Sequence, residues 1–318
     1  MSQSSDAFET NQFSVLNHEK LLAEQIKRLE GIFEQKLDPS KPFVIRIDGV
    51  AFRTYTRGFK KPFDQRMTRA FIRTAADLLQ RFNPSTVYYA SDEISLVFNA
   101  CPNATKAESK APEHSYSGRI QKLVSVVASF AAAKFNQYIN EEDWSDLDKD
   151  HVRQRLANHS AYFDARVFSM PNDFGTMAAI YWRHHYDTLK NATSSYALSF
   201  YSAAEISGKN STQLKEMMAN DHGWDMINQA PRNILYGTFL KREIFDLPAI
   251  DRKTSESIVV QRTRIRIGSF NLDEIFTTIE EKINFIRSKY WNESGEKNDS
   301  IEIPDWWMKY YRQVDPSI

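Results

Sequence analysis

Three carboxylates stand where β-rich runs give out. Asp48 closes the apolar stretch FVIRI and is followed at once by Gly49, while Asp92 and Glu93 interrupt a second run, TVYYASDEISLVF, over residues 86–98. Carboxylates forced together repel unless a cation neutralises them, and hard oxygen ligands of this kind suit Mg²⁺. Two such ions about 4 Å apart would call for a polyphosphate, activating an attacking oxygen and stabilising the leaving one. An Asp-Gly pair after a strand is also ordinary turn punctuation, and a Ser-Asp-Glu tip can be solvated and nothing more. What separates the two readings is whether the fold brings Asp48 and Asp92 together.

The elements that would do so are legible in the apolar periodicity. Residues 1–14 are polar and patternless, and are expected to form a flexible tail. Leu21, Leu22, Ile26, Leu29 and Phe33 predict a helix over 17–35, and residues 43–48 a buried strand. Asp64 can cap a helix whose apolar face is Met67, Phe71, Ala75, Leu78 and Phe82. Residues 86–98 read as a hairpin turning on Ser91, Asp92 and Glu93, residues 119–138 as a long helix, and 161–170 as a further strand. The order strand, helix, strand, strand, helix, strand is that of a ferredoxin-like βαββαβ sheet in an α+β chain. In that sheet the first strand lies beside the hairpin, so Asp48 and Asp92 would converge.

Composition limits the function classes. Lys plus Arg and Asp plus Glu both number 41, so the net charge is zero and any polyanion site must be local. The single cysteine, Cys101, has no internal disulfide partner, and no Cys/His spacing suggests zinc. With no long apolar run and no charged-then-apolar leader, the chain is expected to be cytoplasmic.

Three spaced motifs carry a resemblance. Arg46, Asp48, Gly49 and Phe52 fit RxDGxxF; Lys61, Pro62, Asp64 and Arg66 fit KPxDxR; and Ser91, Asp92, Glu93, Ser95 and Phe98 fit SDExSxxF. In this order they resemble the tRNA-histidine guanylyltransferase superfamily, as do FDARVF at 163–168 and YWR at 181–183. The resemblance spans about residues 40–200. It implies a polymerase-palm-like catalytic domain over residues 15–200, with residues 201–318 a C-terminal α/β extension packed on it. It implies an enzyme that adds nucleotides to the 5′ end of tRNA or tRNA-like RNA in the 3′-to-5′ direction, using two Mg²⁺ ions with ATP and GTP as substrates, and assembled as a homotetramer. Asp48, Asp92 and Glu93 would be the catalytic acids, with Asp48, Asp92 and the Gly49 carbonyl as metal ligands. The main chain of Gly49, Val50, Ala51 and Phe52 would cradle a triphosphate, with Arg53, Lys61, Ser91, Arg119 and Lys122 as further nucleotide contacts. Arg66 is comparable to Lys61 in this respect.

The chain departs from the family where members carry HINNLYN. The aligned residues here are Thr188, Leu189, Lys190, Asn191, Ala192, Thr193 and Ser194, of which Asn191 alone matches. That favours the guanylyltransferase-like branch, which fills in 5′ ends against a template, over a histidine-tRNA-specific guanylyltransferase. A palm protein that binds nucleotide or RNA without catalysis is the remaining alternative. His184 and His185 are expected at the surface, since neighbours on a helix point about 100° apart. Arg262, Arg264 and Arg266 alternate along a predicted strand and would share one face, either solvated or against phosphates. The aromatic segment PDWWMKYYRQV near the end of the chain is expected to dock on the core or on a neighbouring subunit.

Overall fold

The computed structural model describes residues 5–101, 113–147, 150–250 and 253–291, the first thirteen of these as backbone only. The PDWWMKYYRQV segment lies outside the described residues. Within them the chain opens with a helix, α1 (Ser5–Gly31), which begins well before the expected start at residue 17. Strand β1 (Phe43–Gly49) leads through the short α2 (Phe52–Tyr55) to α3 (Gln65–Phe82). The hairpin β2 (Thr86–Ala90) and β3 (Glu93–Phe98) precedes α4 (Ile120–Asn140), α5 (Asp150–Ala157) and β4 (Phe163–Ser169). Then come α6 (Asp173–Trp182), a π-helical turn (Arg183–Thr188) and α7 (Leu189–Phe200). Short helices α8 (Ala203–Ile206), α9 (Ser211–His222), α10 (Met226–Gln229) and α11 (Arg232–Tyr236) lead to β5 (Thr238–Ile250) and β6 (Ser257–Gly268), followed by α12 (Leu272–Ile275) and α13 (Ile279–Arg287).

The strands make one antiparallel sheet in the order β4-β1-β3-β2-β5-β6. The first four are the βαββαβ unit with β1 at its centre, and β5 continues the sheet by pairing with β2. Period-two alternation sorts β1 between two layers. Phe43, Ile45 and Ile47 pack under α3 and α4 with Phe71, Leu78 and Phe135, while Val44 faces the opposite layer with Ile180 of α6 and Phe285 of α13. Asp64 caps α3 by accepting the Arg66 N–H at 3.1 Å, as its position just before the apolar face requires. Asn83 ends the same helix in the left-handed region, where asparagine is tolerated.

The strand β6 carries the three alternating arginines, but not as a free basic face. Arg264 and Arg266 both bond to Glu243 on β5, at 2.8 and 2.5 Å, and Arg266 is buried. A third layer of small helices packs on α7 through Tyr196, Leu214, Met218 and Leu235. No helix among the described residues is long and apolar enough to cross a membrane.

Candidate active site

The end of β1 and the hairpin turn meet as the strand order requires. The Gly49 N–H donates to the Asp92 carbonyl at 3.1 Å, and Asp48 lies directly opposite Glu93 on β3 and Asp164 on β4. Ser91 takes a left-handed conformation that closes the hairpin in two residues and turns Asp92 back toward β1. Gly49 is required by packing, because a Cβ there would overlap the Phe52 ring. Ala51, two residues on, is left-handed, which folds the chain into α2 and buries Phe52 and Tyr55.

The acids raise one another's pKa. Burial and the neighbouring Asp164 push the Asp48 carboxyl up, against the pull of Arg46 and Arg166. Asp92 is pushed up by burial first and then by Asp48 and Asp187. Burial drives Glu93 up to about 7, with Asp48, Asp187 and Asp92 adding to it in spite of Arg46. Glu93 has a cation partner: Arg183 reaches it at 2.9 Å and Asp187 at 2.6 Å, clamping the two carboxylates together. Asp48 and Asp92 have no bonded cation among the described residues.

That difference bears on which groups could hold a metal. Among the described residues no three His, Cys, Asp or Glu side chains converge as a ready cation cage. The donors that could do so are the carboxylates of Asp48 and Asp92, neither of which has a bonded cation among the described residues, together with the Gly49 carbonyl, a hard oxygen set suited to a divalent ion. Glu93 stands beside this set, held by Arg183.

A cavity of about 560 Å³ opens in front of the hairpin turn. Arg53 and Lys61, both exposed, line it together with Phe52, Ser91, Asp92 and Glu93, so residues from all three motif segments border it, whereas Asp48 and Gly49 are not part of its lining. The main-chain cradle is smaller than expected. The Gly49 amide is spent on Asp92 and the Val50 amide on the Tyr162 carbonyl at 2.9 Å, which leaves the Ala51 and Phe52 N–H groups without a backbone partner among the described residues.

Arg119 and Lys122 are not brought to this site. Strand β3 runs away from the acids, from Glu93 to Phe98, so the helix that follows begins at the opposite end of the sheet, where Phe98 pairs with Phe43. The Leu37 N–H donates to the Gly118 carbonyl there, and α4 then needs its 21 residues, roughly 30 Å, to return. Arg119 pairs with Glu34 at 3.3 Å, and the Lys122 ammonium lies over the Tyr116 ring. Within one chain they cannot touch a triphosphate held at Asp48 and Asp92. Arg66 is likewise no ligand: it is buried, bonded to Asp64 and Asp146 and stacked 3.9 Å from the Trp144 ring.

The residues beyond YWR contribute more than their sequence suggested. His184 is fully buried, contrary to its expected surface position. Its Nδ1 donates to the Tyr236 carbonyl at 2.8 Å and its Nε2 accepts from the Leu272 N–H at 3.1 Å; burial lowers its pKa to about 4 and keeps it neutral. His185 is half-buried, 3.3 Å from Asp273. Thr188, standing where the family has its first HINNLYN residue, donates to the Arg183 carbonyl and meets the Tyr88 hydroxyl at 2.9 Å. Thr188, Asn191, Ala192 and Ser194 line the cavity, whereas Lys190 points elsewhere. Sequence reasoning assigned no role to Arg183, Asp187, Asp164, Arg46 or Arg166. The opposed Asp48–Asp164 and Arg46–Arg166 pairs follow from the register of FDARVF against VIRIDG, which was there to be read.

Comparison with known proteins agrees with the geometry. Residues 23–171 match the family described as Thg1: tRNAHis guanylyltransferase. An uncharacterized protein of Acanthamoeba polyphaga mimivirus is 28% identical over 230 residues, covering 70% of this chain and 77% of its own. A bacterial tRNAHis guanylyltransferase (Thg1)-like protein solved in complex with ATP is 25% identical, with a TM-score of 0.63 over 85% of this chain and all of its own. The GTP complex of such a protein, at 24% identity, shares the fold with a TM-score of 0.57 over 82% of this chain and 98% of its own. The palm-like α+β sheet, the three spaced motifs and the family match place residues 23–171 in the tRNAHis guanylyltransferase superfamily of nucleotidyltransferases.

Proposed function

We propose that the chain adds nucleotides to the 5′ end of tRNA or tRNA-like RNA in the 3′-to-5′ direction, choosing each one by pairing with the opposite strand. The observation that carries this is the pair Asp48 and Asp92, two half-buried carboxylates with no bonded cation among the described residues, beside a cavity lined by Arg53 and Lys61. An acid pair next to basic side chains suits a cation-bound polyphosphate, as P-loop and polymerase sites do by other means.

Asp48, Asp92 and the Gly49 carbonyl would hold Mg²⁺, which when bound supplies charge neutralisation and activation of an attacking oxygen. The chain's own groups do the rest. Lys61 and Arg53 bind phosphate oxygens, with Ser91 and the free Ala51 and Phe52 amides as neutral donors. Arg183 fixes Glu93 so that it shapes the field beside the acid pair without swinging into it. ATP and GTP, the ligands of the bacterial Thg1-like structures, are the nucleotides we assign to it.

The α7 residues facing the cavity are short and uncharged, and support choice by pairing over choice by a tRNA-reading pocket. Losing favourable contacts to one substrate levels affinities without creating a new preference. The lone free cysteine fits a cytoplasmic setting, and the exposed apolar residues Leu22, Ile26 and Leu29 of α1, with Phe33 just after it, support self-association, to be checked by light scattering for the tetramer.

Incubation with Mg²⁺, labelled nucleotides and tRNAs of several identities lacking their first residue tests the proposal. Guanine should enter opposite cytosine and adenine opposite uracil, changing when the template base is changed. Addition of guanine alone, to histidine tRNA alone, would assign the chain to histidine-tRNA maturation instead.

A further inference from the structure

On the sheet face that carries Val44, Arg46 and Asp48, a second cavity of about 250 Å³ opens against α6. One side is apolar, from Val44, Phe168 and Ile180. At its mouth Trp182 is 51% exposed, an unusual fraction for an indole, and the Arg183 guanidinium lies 4.9 Å from its ring centroid. Inside, the Arg46 Nε is buried and has no hydrogen-bond partner among the described residues. A buried donor left unpaired costs free energy and calls for an explanation.

Arg166 makes the cost greater. It stands directly across from Arg46 in the β1–β4 register, and like charges in that position repel. Its own ion partner, Asp164, is loosely placed at 3.8 Å, and the Arg166 side chain is largely exposed. The chain thus holds a narrow apolar slot, an exposed aromatic face, an unused hydrogen-bond donor and a surplus cation within one strand step of the acid row. Arg46 and Asp48 are two residues apart, about 7 Å along β1. Ser95 and Arg183 line this slot and the main cavity alike.

We propose that this slot takes a nucleobase. Its ring lies against Trp182 and the apolar side, a ring nitrogen or carbonyl oxygen accepts from the Arg46 Nε, and the adjoining phosphate meets Arg166. Stacking on an aromatic face tolerates any base, and the guanidinium supplies the polar contact that an apolar slot lacks. The base belongs either to a single-stranded nucleic acid or to a free nucleotide, which share this chemistry.

Binding of the full chain, without divalent ions, to a labelled short oligoadenylate, an abasic oligomer of the same length and a fluorescent ATP tests the site. Trp182→Leu should weaken a base-bearing probe by roughly 5- to 100-fold and leave the abasic oligomer unchanged, and Trp182→Phe should restore most of the loss. Arg46→Gln should act on the same probe. Loss confined to the oligoadenylate assigns the slot to a strand, and loss confined to ATP assigns it to a nucleotide. Unchanged affinity of Trp182→Leu for both overturns the proposal. The readout is binding without chemistry, so it stands or falls separately from templated addition to tRNA.

Discussion

The Gly49 amide donates to the Asp92 carbonyl at 3.1 Å, so the end of β1 and the hairpin turn are joined by main chain before any side chain takes part. The two carboxylates are therefore held close by backbone, at an electrostatic cost that the protein bears in both of them.

Asp48→Ala and Asp92→Ala should each lower nucleotide addition by at least about 10²–10³-fold, the scale of losing one charge-stabilising group at a reacting centre. Neither should lower the melting temperature in the presence of a chelator, since each removal relieves repulsion on the other acid. A fall in melting temperature with activity kept would make Asp48 a turn residue after all.

Two residues of one motif should separate cleanly. Arg66→Ala breaks a buried, doubly bonded ion pair and should cost about 3–5 kcal/mol in denaturant unfolding. Lys61→Ala should leave unfolding unchanged and weaken nucleoside triphosphate binding by about 10-fold, the scale of one charge-assisted hydrogen bond. Equal effects on stability would show that Lys61 is structural too.

His184 makes stability depend on pH. Its folded pKa of about 4 lies below the unfolded value near 6.5, so the unfolded chain binds the extra proton between those limits. Stability is full above about pH 6.5, falls as pH drops through the window, and is lower by about 3 kcal/mol below pH 4. Urea unfolding at pH 7 and pH 5 should show this slope in the wild type and a shallower one in His184→Gln.

The Tyr88 hydroxyl donates to the Tyr236 carbonyl and lies 2.9 Å from the Thr188 hydroxyl, placing the hairpin against the π-turn and tying it to α11. Tyr88→Phe should cost about 1–2 kcal/mol, because buried partners are left unsatisfied. Its effect on nucleotide addition should fall in kcat rather than KM, since the turn it holds carries Arg183. An unchanged unfolding midpoint would show that the hydroxyl is dispensable.

The first sheet layer was legible because its strands and helices differ in apolar period, and Asp64 and Asn83 mark the ends of α3 by local chemistry. The convergence of Asp48 and Asp92 followed from strand order. Arg119 and Lys122 were misplaced although their helix was correctly seen, because the chain direction of β3 fixes which end of the sheet α4 starts from. His184 was misjudged for another reason: neighbouring side chains on a helix do point apart, but here one direction leads into the layer formed by Tyr236 and Leu272, elements distant in sequence. The Arg183 clamp needs Glu93 and Asp187 brought together in space, which no spacing announces.

The pairing of β5 with β2 bears on solubility. Val87, Tyr88 and Tyr89 are buried and apolar or aromatic, and Thr238 to Leu240 cover their edge. A chain cut at residue 200 would expose that edge as a row of unpaired N–H and C=O groups on a β-prone segment, a template for pairing with another copy. The cut would also remove Lys241, whose fully buried ammonium bonds to the Thr86 hydroxyl at 2.9 Å and to carbonyls at the end of α13. Trimmed to its family-like portion, the protein should precipitate where the full chain stays dispersed.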